Sequence, residues 1–193
     1  MEYHSLRPGG YRRYPIAQMK DWFTPSGQLH TPFRIFVSNF GIDRHYDMIK
    51  SLGLTRYRLC VPNSMQRQVA IVALGDWTLF ADDWFYTLWH SDLTMHVIAK
   101  TAQSHDIYYD IIGDCDESYG FGLYRDGVLI RQIHVASPHY SDQIVEAQTG
   151  MPLAVESEDR MTDNTQEYVD TIARFVGVRL PCTDDSLLTY GCI

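Results

Sequence analysis

The chain has 193 residues, of which 45% are hydrophobic and 21% are charged, and its formal net charge is −8. This composition is typical of a globular domain that folds around one core. Because basic residues do not dominate, the composition argues against general binding to nucleic acid. No run of about 18 apolar residues occurs, so no membrane helix is predicted. The first 20 residues contain no apolar segment, so we expect no signal peptide and a cytoplasmic location.

The N-terminal part is interpreted as an arm in front of one domain. Residues 1–32 contain glycines and prolines without a sustained period, so the folded domain is expected to span residues 33–193. Its first predicted elements are a strand over 33–39, a helix over 43–52 that is capped by Asp43 and closed by Gly53, and a strand over 56–61. This order is a β-α-β pattern.

Two hairpins are predicted in the middle of the chain. Apolar runs at 69–74 and 78–80 flank Gly75-Asp76-Trp77, which favours a tight turn. The second hairpin spans residues 119–135, where Asp126-Gly127 separates two runs of alternating apolar and polar residues. An Asp-Gly pair favours the two-residue turn that joins antiparallel strands, so it predicts the register of this hairpin.

Three further elements complete the predicted fold. A helix is expected from Asp92 or Thr94 to about Gln103, followed by a strand over 107–112. A closing helix is expected over 165–176, with Gly177 as its end. About seven strands, many of them in hairpins, and about three helices predict an α+β fold, in which the helices pack on a mainly antiparallel β-sheet.

Two predicted loops carry clustered acidic residues, and the first of them also carries a tryptophan. Residues 61–193 hold seven basic residues against twenty acidic ones, and tryptophan is enriched at the centres of protein interfaces. We therefore predict that these loops bind another protein, and that this partner is basic, because opposite charges attract. The candidate partner-binding residues are Asp82, Asp83, Trp84, Asp114, Asp116 and Glu117.

The histidines suggest an alternative function. His90, His96 and His105, together with a carboxylate, are residue types that bind zinc or iron. A small hydrolase that uses His and Asp or Glu groups, with or without a metal, is therefore the alternative. The histidine spacing matches neither H-x-x-x-H nor H-E-x-x-H, and no cysteine has the local signature of a nucleophile. No catalytic residue, metal site or cofactor is predicted.

Several motifs resemble, in their order, those of small uncharacterised bacterial cytosolic proteins. They are Trp77 after a strand, Leu-Tyr-Arg-Asp-Gly-Val-Leu-Ile-Arg at 123–131, Gly-Met-Pro-Leu at 150–153 with Glu156, and Phe-Val-Gly-Val at 175–178. The resemblance covers about residues 69–180. Some of these proteins look like immunity factors that neutralise toxins. The resemblance therefore implies a non-enzymatic intracellular binding protein of the immunity or antitoxin kind, and it carries over no catalytic residue.

Overall fold

A computed structural model describes residues 13–15, 29–62, 67–113, 118–136, 144–156 and 165–192. Within these ranges ten strands form one sheet: β1 (Tyr14–Pro15), β2 (Phe33–Ser38), β3 (Tyr57–Leu59), β4 (Gln68–Leu74), β5 (Trp77–Ala81), β6 (Ile107–Ile112), β7 (Tyr119–Arg125), β8 (Val128–Ala136), β9 (Ile144–Thr149) and β10 (Ser186–Cys192). The helices are α1 (His45–Ser51), α2 (Thr94–Thr101) and α3 (Thr165–Phe175). The paired strands are antiparallel, which agrees with the predicted α+β fold and its mainly antiparallel sheet.

The sheet has the order β1-β10-β4-β5-β2-β6-β7-β8-β9, and β3 also pairs with β10. The elements of the predicted β-α-β pattern are present as β2, α1 and β3. However, β2 and β3 are not neighbours, because β3 pairs with β10 while β2 lies between β5 and β6. Strands β1, β9 and β10 are additions to the seven predicted. The two residues of β1 belong to the predicted N-terminal arm and join the sheet through β10.

Both predicted hairpins are present. Strands β4 and β5 join through Gly75 and Asp76, and Trp77 is the first residue of β5. Strands β7 and β8 join through Asp126 and Gly127, whose φ angles are 50° and 77°. Two positive φ angles are what a type I′ turn requires, so the Asp-Gly pair forms the predicted turn between these strands.

The helices lie close to their predicted bounds, but they begin differently. A 3-10 turn at Ile42–Arg44 precedes α1, and neither α1 nor α2 has a side-chain hydrogen bond to its cap. Their ends agree better with the prediction. Gly53 and Gly177 follow α1 and α3 with φ angles of 78° and 91°, a backbone conformation that ends helices and suits glycine.

The sheet is covered on both faces, and the two faces have separate cores. Along β2, Phe33, Ile35 and Val37 belong to the core under α1 and α2. Phe36 belongs to the core under α3, because successive side chains of a strand point to opposite faces. The apolar side of the closing helix is buried in this second core through Val169, Ile172, Ala173 and Val176. In the described part of the chain, no helix is long and apolar enough to cross a membrane.

A buried ion pair fastens the segment that follows β9. Arg131 of β8 is 1% exposed, and its Nε and Nη2 atoms donate to the carboxylate of Glu156 at 2.9 and 2.6 Å. The Arg131 Nη1 atom also donates to the carbonyl oxygens of Thr149 and Gly150, and Glu156 accepts the backbone N–H of Leu153 at 2.7 Å. The Arg of the hairpin and the Glu of the Gly-x-Pro-Leu-x-x-Glu motif are therefore one structural unit.

Candidate functional site

The segment 82–93, which connects β5 to α2, is the most distinctive loop of the described structure. It contains Trp84, Phe85, Tyr86 and Trp89 within eight residues of the end of β5, and we call it the aromatic loop. It begins where the sheet ends, because Asp82 donates its backbone N–H to the carbonyl of Phe33 at 2.9 Å. Loops held on a rigid scaffold commonly carry binding residues.

Asp82 organises the far end of the aromatic loop. Its side chain is fully buried, and its Oδ2 atom accepts the backbone N–H groups of Leu88 and Trp89 at 2.8 and 3.0 Å. Its Oδ1 atom accepts the N–H of Asp83 at 2.9 Å. Burial raises the pKa of Asp82 to about 7, although the N–H groups of Leu88 and Trp89 oppose the rise. One carboxyl group thus gathers three backbone donors of the loop.

Asp83 organises the near end. It is 3% exposed, its Oδ2 atom accepts the backbone N–H of Gln68 at the start of β4, and its Oδ1 atom accepts the N–H of Phe85 at 3.1 Å. Burial also raises the pKa of Asp83. The structure therefore places both predicted partner-binding aspartates beneath the loop, where they hold its backbone and do not present carboxylates at the surface.

The backbone of the aromatic loop takes an uncommon conformation at Tyr86. Its φ angle is 53°, which is unusual for a residue with a bulky side chain. Backbone hydrogen bonds surround it, from Tyr86 N–H to the Asp83 carbonyl at 3.1 Å and from His90 N–H to the Tyr86 carbonyl at 3.0 Å. Such a residue persists only where the surroundings enforce it, and the two aspartates supply that constraint.

The fixed backbone displays aromatic side chains at the surface. Phe85 is 46% exposed, and Trp84 and Trp89 are half-buried. Trp84 stacks on His30 with ring centroids 4.7 Å apart and meets Tyr86 edge to face at 6.4 Å. The predicted anchor Trp84 is therefore accessible, and the ring of Phe85 beside it is more exposed still.

A buried cluster of charges lies in the sheet near His30. Arg34 of β2 donates from Nε and Nη2 to the two carboxylate oxygens of Asp110, both at 2.7 Å. Its Nη2 atom is also 2.7 Å from Asp170 of α3, and all three side chains are at most 2% exposed. Gln166 donates to Asp170 at 2.9 Å. Burial lowers the pKa of His30, and the positive charge of Arg34 adds to this effect.

The other predicted site residues do not join this surface as a group. Asp114, Asp116 and Glu117 lie outside the described residues. His90 is exposed within the aromatic loop, whereas His96 and His105 line a cleft between α1 and α2. Among the described residues, no three or more His, Cys, Asp or Glu side chains are placed to hold a metal ion.

The sequence contained one usable signal for the role of the aspartates. The signal is two consecutive aspartates directly after a strand, at the start of a loop. Aspartate side chains in such positions commonly accept backbone N–H groups of the loop that follows. The Arg34 cluster had no such signal, because its three members are far apart in the chain. No protein-family model, curated protein or solved structure matches this chain.

Proposed function

We propose that this chain is a non-enzymatic protein-binding factor whose aromatic loop contacts the partner. One observation carries the proposal: the buried carboxylates of Asp82 and Asp83 accept backbone N–H groups along an accessible aromatic segment and so support its conformation. Trp84 and Phe85 are the proposed anchors.

Preorganisation is the physical reason for this proposal. A flexible loop loses conformational entropy when a partner orders it, so a loop that is already ordered binds more tightly for the same contacts. Truncating an aromatic hot-spot residue of an interface to alanine typically costs about 2 kcal/mol or more of binding free energy. Buried carboxylates that support a surface loop are consistent with this use, since neither one is needed to contact the partner.

We further propose that the partner is basic. The formal charge of the chain is −8, and Asp92 is exposed at the end of the aromatic loop. Asp114, Asp116 and Glu117 remain predicted members of the binding surface. Together with the motif order, these charges support an immunity or antitoxin-like role in which a cationic protein is captured by a complex that weakens as salt rises.

The test is affinity purification of the tagged chain from its native host, with mass spectrometry of what co-elutes at low and at moderate salt. Wild type is compared with Phe85→Ala and with the control Phe175→Ala, since Phe175 is an equally large residue that is 52% exposed on α3. We expect one basic protein to co-elute with wild type and the control, and to bind Phe85→Ala about thirtyfold more weakly.

Equal recovery with Phe85→Ala would remove the aromatic loop from the interface. Recovery of no partner at either salt concentration would contradict the binding function itself. Metal analysis of the same fraction addresses the alternative hydrolase, because stoichiometric metal without a partner protein would favour that function.

A further inference from the structure

A cleft of about 410 Å³ lies between α1 and α2, on the face of the sheet opposite α3. Its floor is formed by the buried side chains of Phe40, Met48 and Val97. Its rim carries the exposed side chains of Arg44 and Lys100. The volume is within the range that small-molecule sites occupy, and an apolar floor with a few polar groups is the usual composition of such sites.

The cleft is locally positive in an acidic protein. Arg44 and Lys100 supply two permanent positive charges, and Asp47 is the acid among the described lining residues. The ion pairs in the described part of the chain do not include any of these three residues. The guanidinium carbon of Arg44 lies 5.0 Å from the centre of the Phe40 ring, so this cation is held over the apolar floor.

Hydrogen-bonding groups accompany the two cations. His96 on α2 and the hydroxyl-bearing Thr101 and Ser104 line the same cleft. His105 lines it as well, but its Nδ1 atom is 2.8 Å from the carbonyl oxygen of Ser38 and is therefore engaged with β2. Cationic and hydroxyl donors above an apolar floor match a ligand with an anionic head and an apolar body.

From this geometry we infer that the cleft between α1 and α2 binds a small organic anion, in which a carboxylate or phosphate meets Arg44 and Lys100 and an apolar body lies on Phe40, Met48 and Val97. The lining residues are not shared with the aromatic loop. The inference therefore goes beyond the proposed protein-binding function and is tested separately from it.

The test is a two-dimensional NMR titration of the full ¹⁵N-labelled chain with phenylacetate, phenyl phosphate and the uncharged 2-phenylethanol. We expect the two anions to shift backbone signals of α1 and α2 in a saturable manner, with a Kd of about 1 mM. The uncharged analogue should bind about tenfold more weakly because it lacks the charge that Arg44 and Lys100 recognise. Comparing the two anions identifies which head group the cleft prefers.

Variants locate the charge recognition. Arg44→Gln and Lys100→Gln should each weaken phenylacetate binding about threefold, as expected for partly exposed charges. Lys50→Gln is the matched control, because Lys50 is exposed on α1 but does not line the cleft. Lys100 is on the surface, so its variant remains informative if Arg44→Gln affects packing on Phe40.

Three results would overturn the inference. One is the absence of saturable shifts at tens of millimolar anion, and another is equal affinity for phenylacetate and 2-phenylethanol. The third is an effect of Lys50→Gln as large as that of Lys100→Gln, which would assign any binding to the general charge of the helix surface and not to the cleft.

Discussion

Replacing Arg34 with methionine should strongly destabilise the fold. Arg34 makes two hydrogen bonds to Asp110 and one close contact to Asp170, all at 2.7 Å, in a part of the core where the three side chains are at most 2% exposed. Arg34→Met keeps an apolar stem of similar length but leaves two carboxyl groups in the core without their cation.

The expected loss follows from this burial. Removing one partner of a buried ion pair typically costs about 3–5 kcal/mol, because the remaining charge is buried without compensation. A chain of this length loses about 2–4 °C in Tm for each kcal/mol, so the variant should melt about 6–20 °C below wild type. Such a loss is a large fraction of the total stability of an ordinary domain.

Urea unfolding followed by circular dichroism measures the free energy of unfolding, and its pH dependence provides a second readout. Burial already raises the pKa of Asp110, and Arg34 opposes that rise. Without Arg34 the pKa of Asp110 should rise further above its unfolded value. A raised folded-state pKa favours the protonated form, so Arg34→Met should recover stability as the pH falls from neutral towards the ordinary pKa of an aspartate, 3.8.

A compensated variant separates the ion cluster from simple packing. Arg34→Met combined with Asp110→Val and Asp170→Leu removes all three charges, and it should be more stable than Arg34→Met alone. A stabilising role for the Arg34 cluster would be contradicted if the free energy of unfolding of Arg34→Met lay within about 1 kcal/mol of wild type, or if the triple variant were less stable than Arg34→Met.

Three further outcomes are expected. Burial raises the pKa of Asp82 from 3.8 to about 7, so its stabilising contribution is present below about pH 4 and is lost as the pH rises through about 7. The free energy of unfolding of Asp82→Asn, measured by urea unfolding across this pH range, should therefore depend less on pH than that of wild type. Gly127 has a φ of 77°, so Gly127→Val should cost about 1–2 kcal/mol in urea unfolding and Gly127→Asn less, whereas equal losses would contradict the turn assignment. Glu156→Ala leaves the buried Arg131 without its carboxylate and should cost about 3–5 kcal/mol, and an unchanged Tm would show that the ion pair does not stabilise this segment.

Local signals in the sequence predicted much of the secondary structure. The Asp126-Gly127 pair sits between alternating runs, and the chemistry of two residues is enough to join β7 to β8 because the strands are adjacent in the chain. Gly53 and Gly177 mark helix ends for a similarly local reason. Features that depend on neighbouring residues were therefore accessible from the sequence.

Features that depend on distant residues were not. Residues 186–192 form a strand between β1 and β4, yet their own pattern, Ser-Leu-Leu-Thr-Tyr-Gly-Cys, has no clear alternation because five of the seven residues are buried. The pairing of β3 with β10 could likewise not be predicted, because the two strands are far apart in the chain. A strand buried on both faces lacks the period of two that identifies half-exposed strands.

In the candidate site, too, the local features were predictable from the sequence and those that depend on the folded chain were not. Asp82, Asp83 and Trp84 were selected from composition, and the structure brings them together in one loop. The two carboxylates support the loop because they are buried, and their burial could not be predicted from the number of acidic residues. The accessible ring of Phe85 is likewise visible only when the loop is folded.

The position of β10 has a consequence for the synthesis of the protein. Most of the chain separates β4 from β10, so the β4–β5 hairpin is translated long before the strand that pairs with the other side of β4. Until then one edge of β4, whose residues are mostly buried in the folded protein, has no partner strand. Such an edge can pair with other chains. Completion of this half of the sheet therefore follows translation of residues 186–192, and a ribosome stalled before them would hold a chain whose apolar edge is available to chaperones or to aggregation.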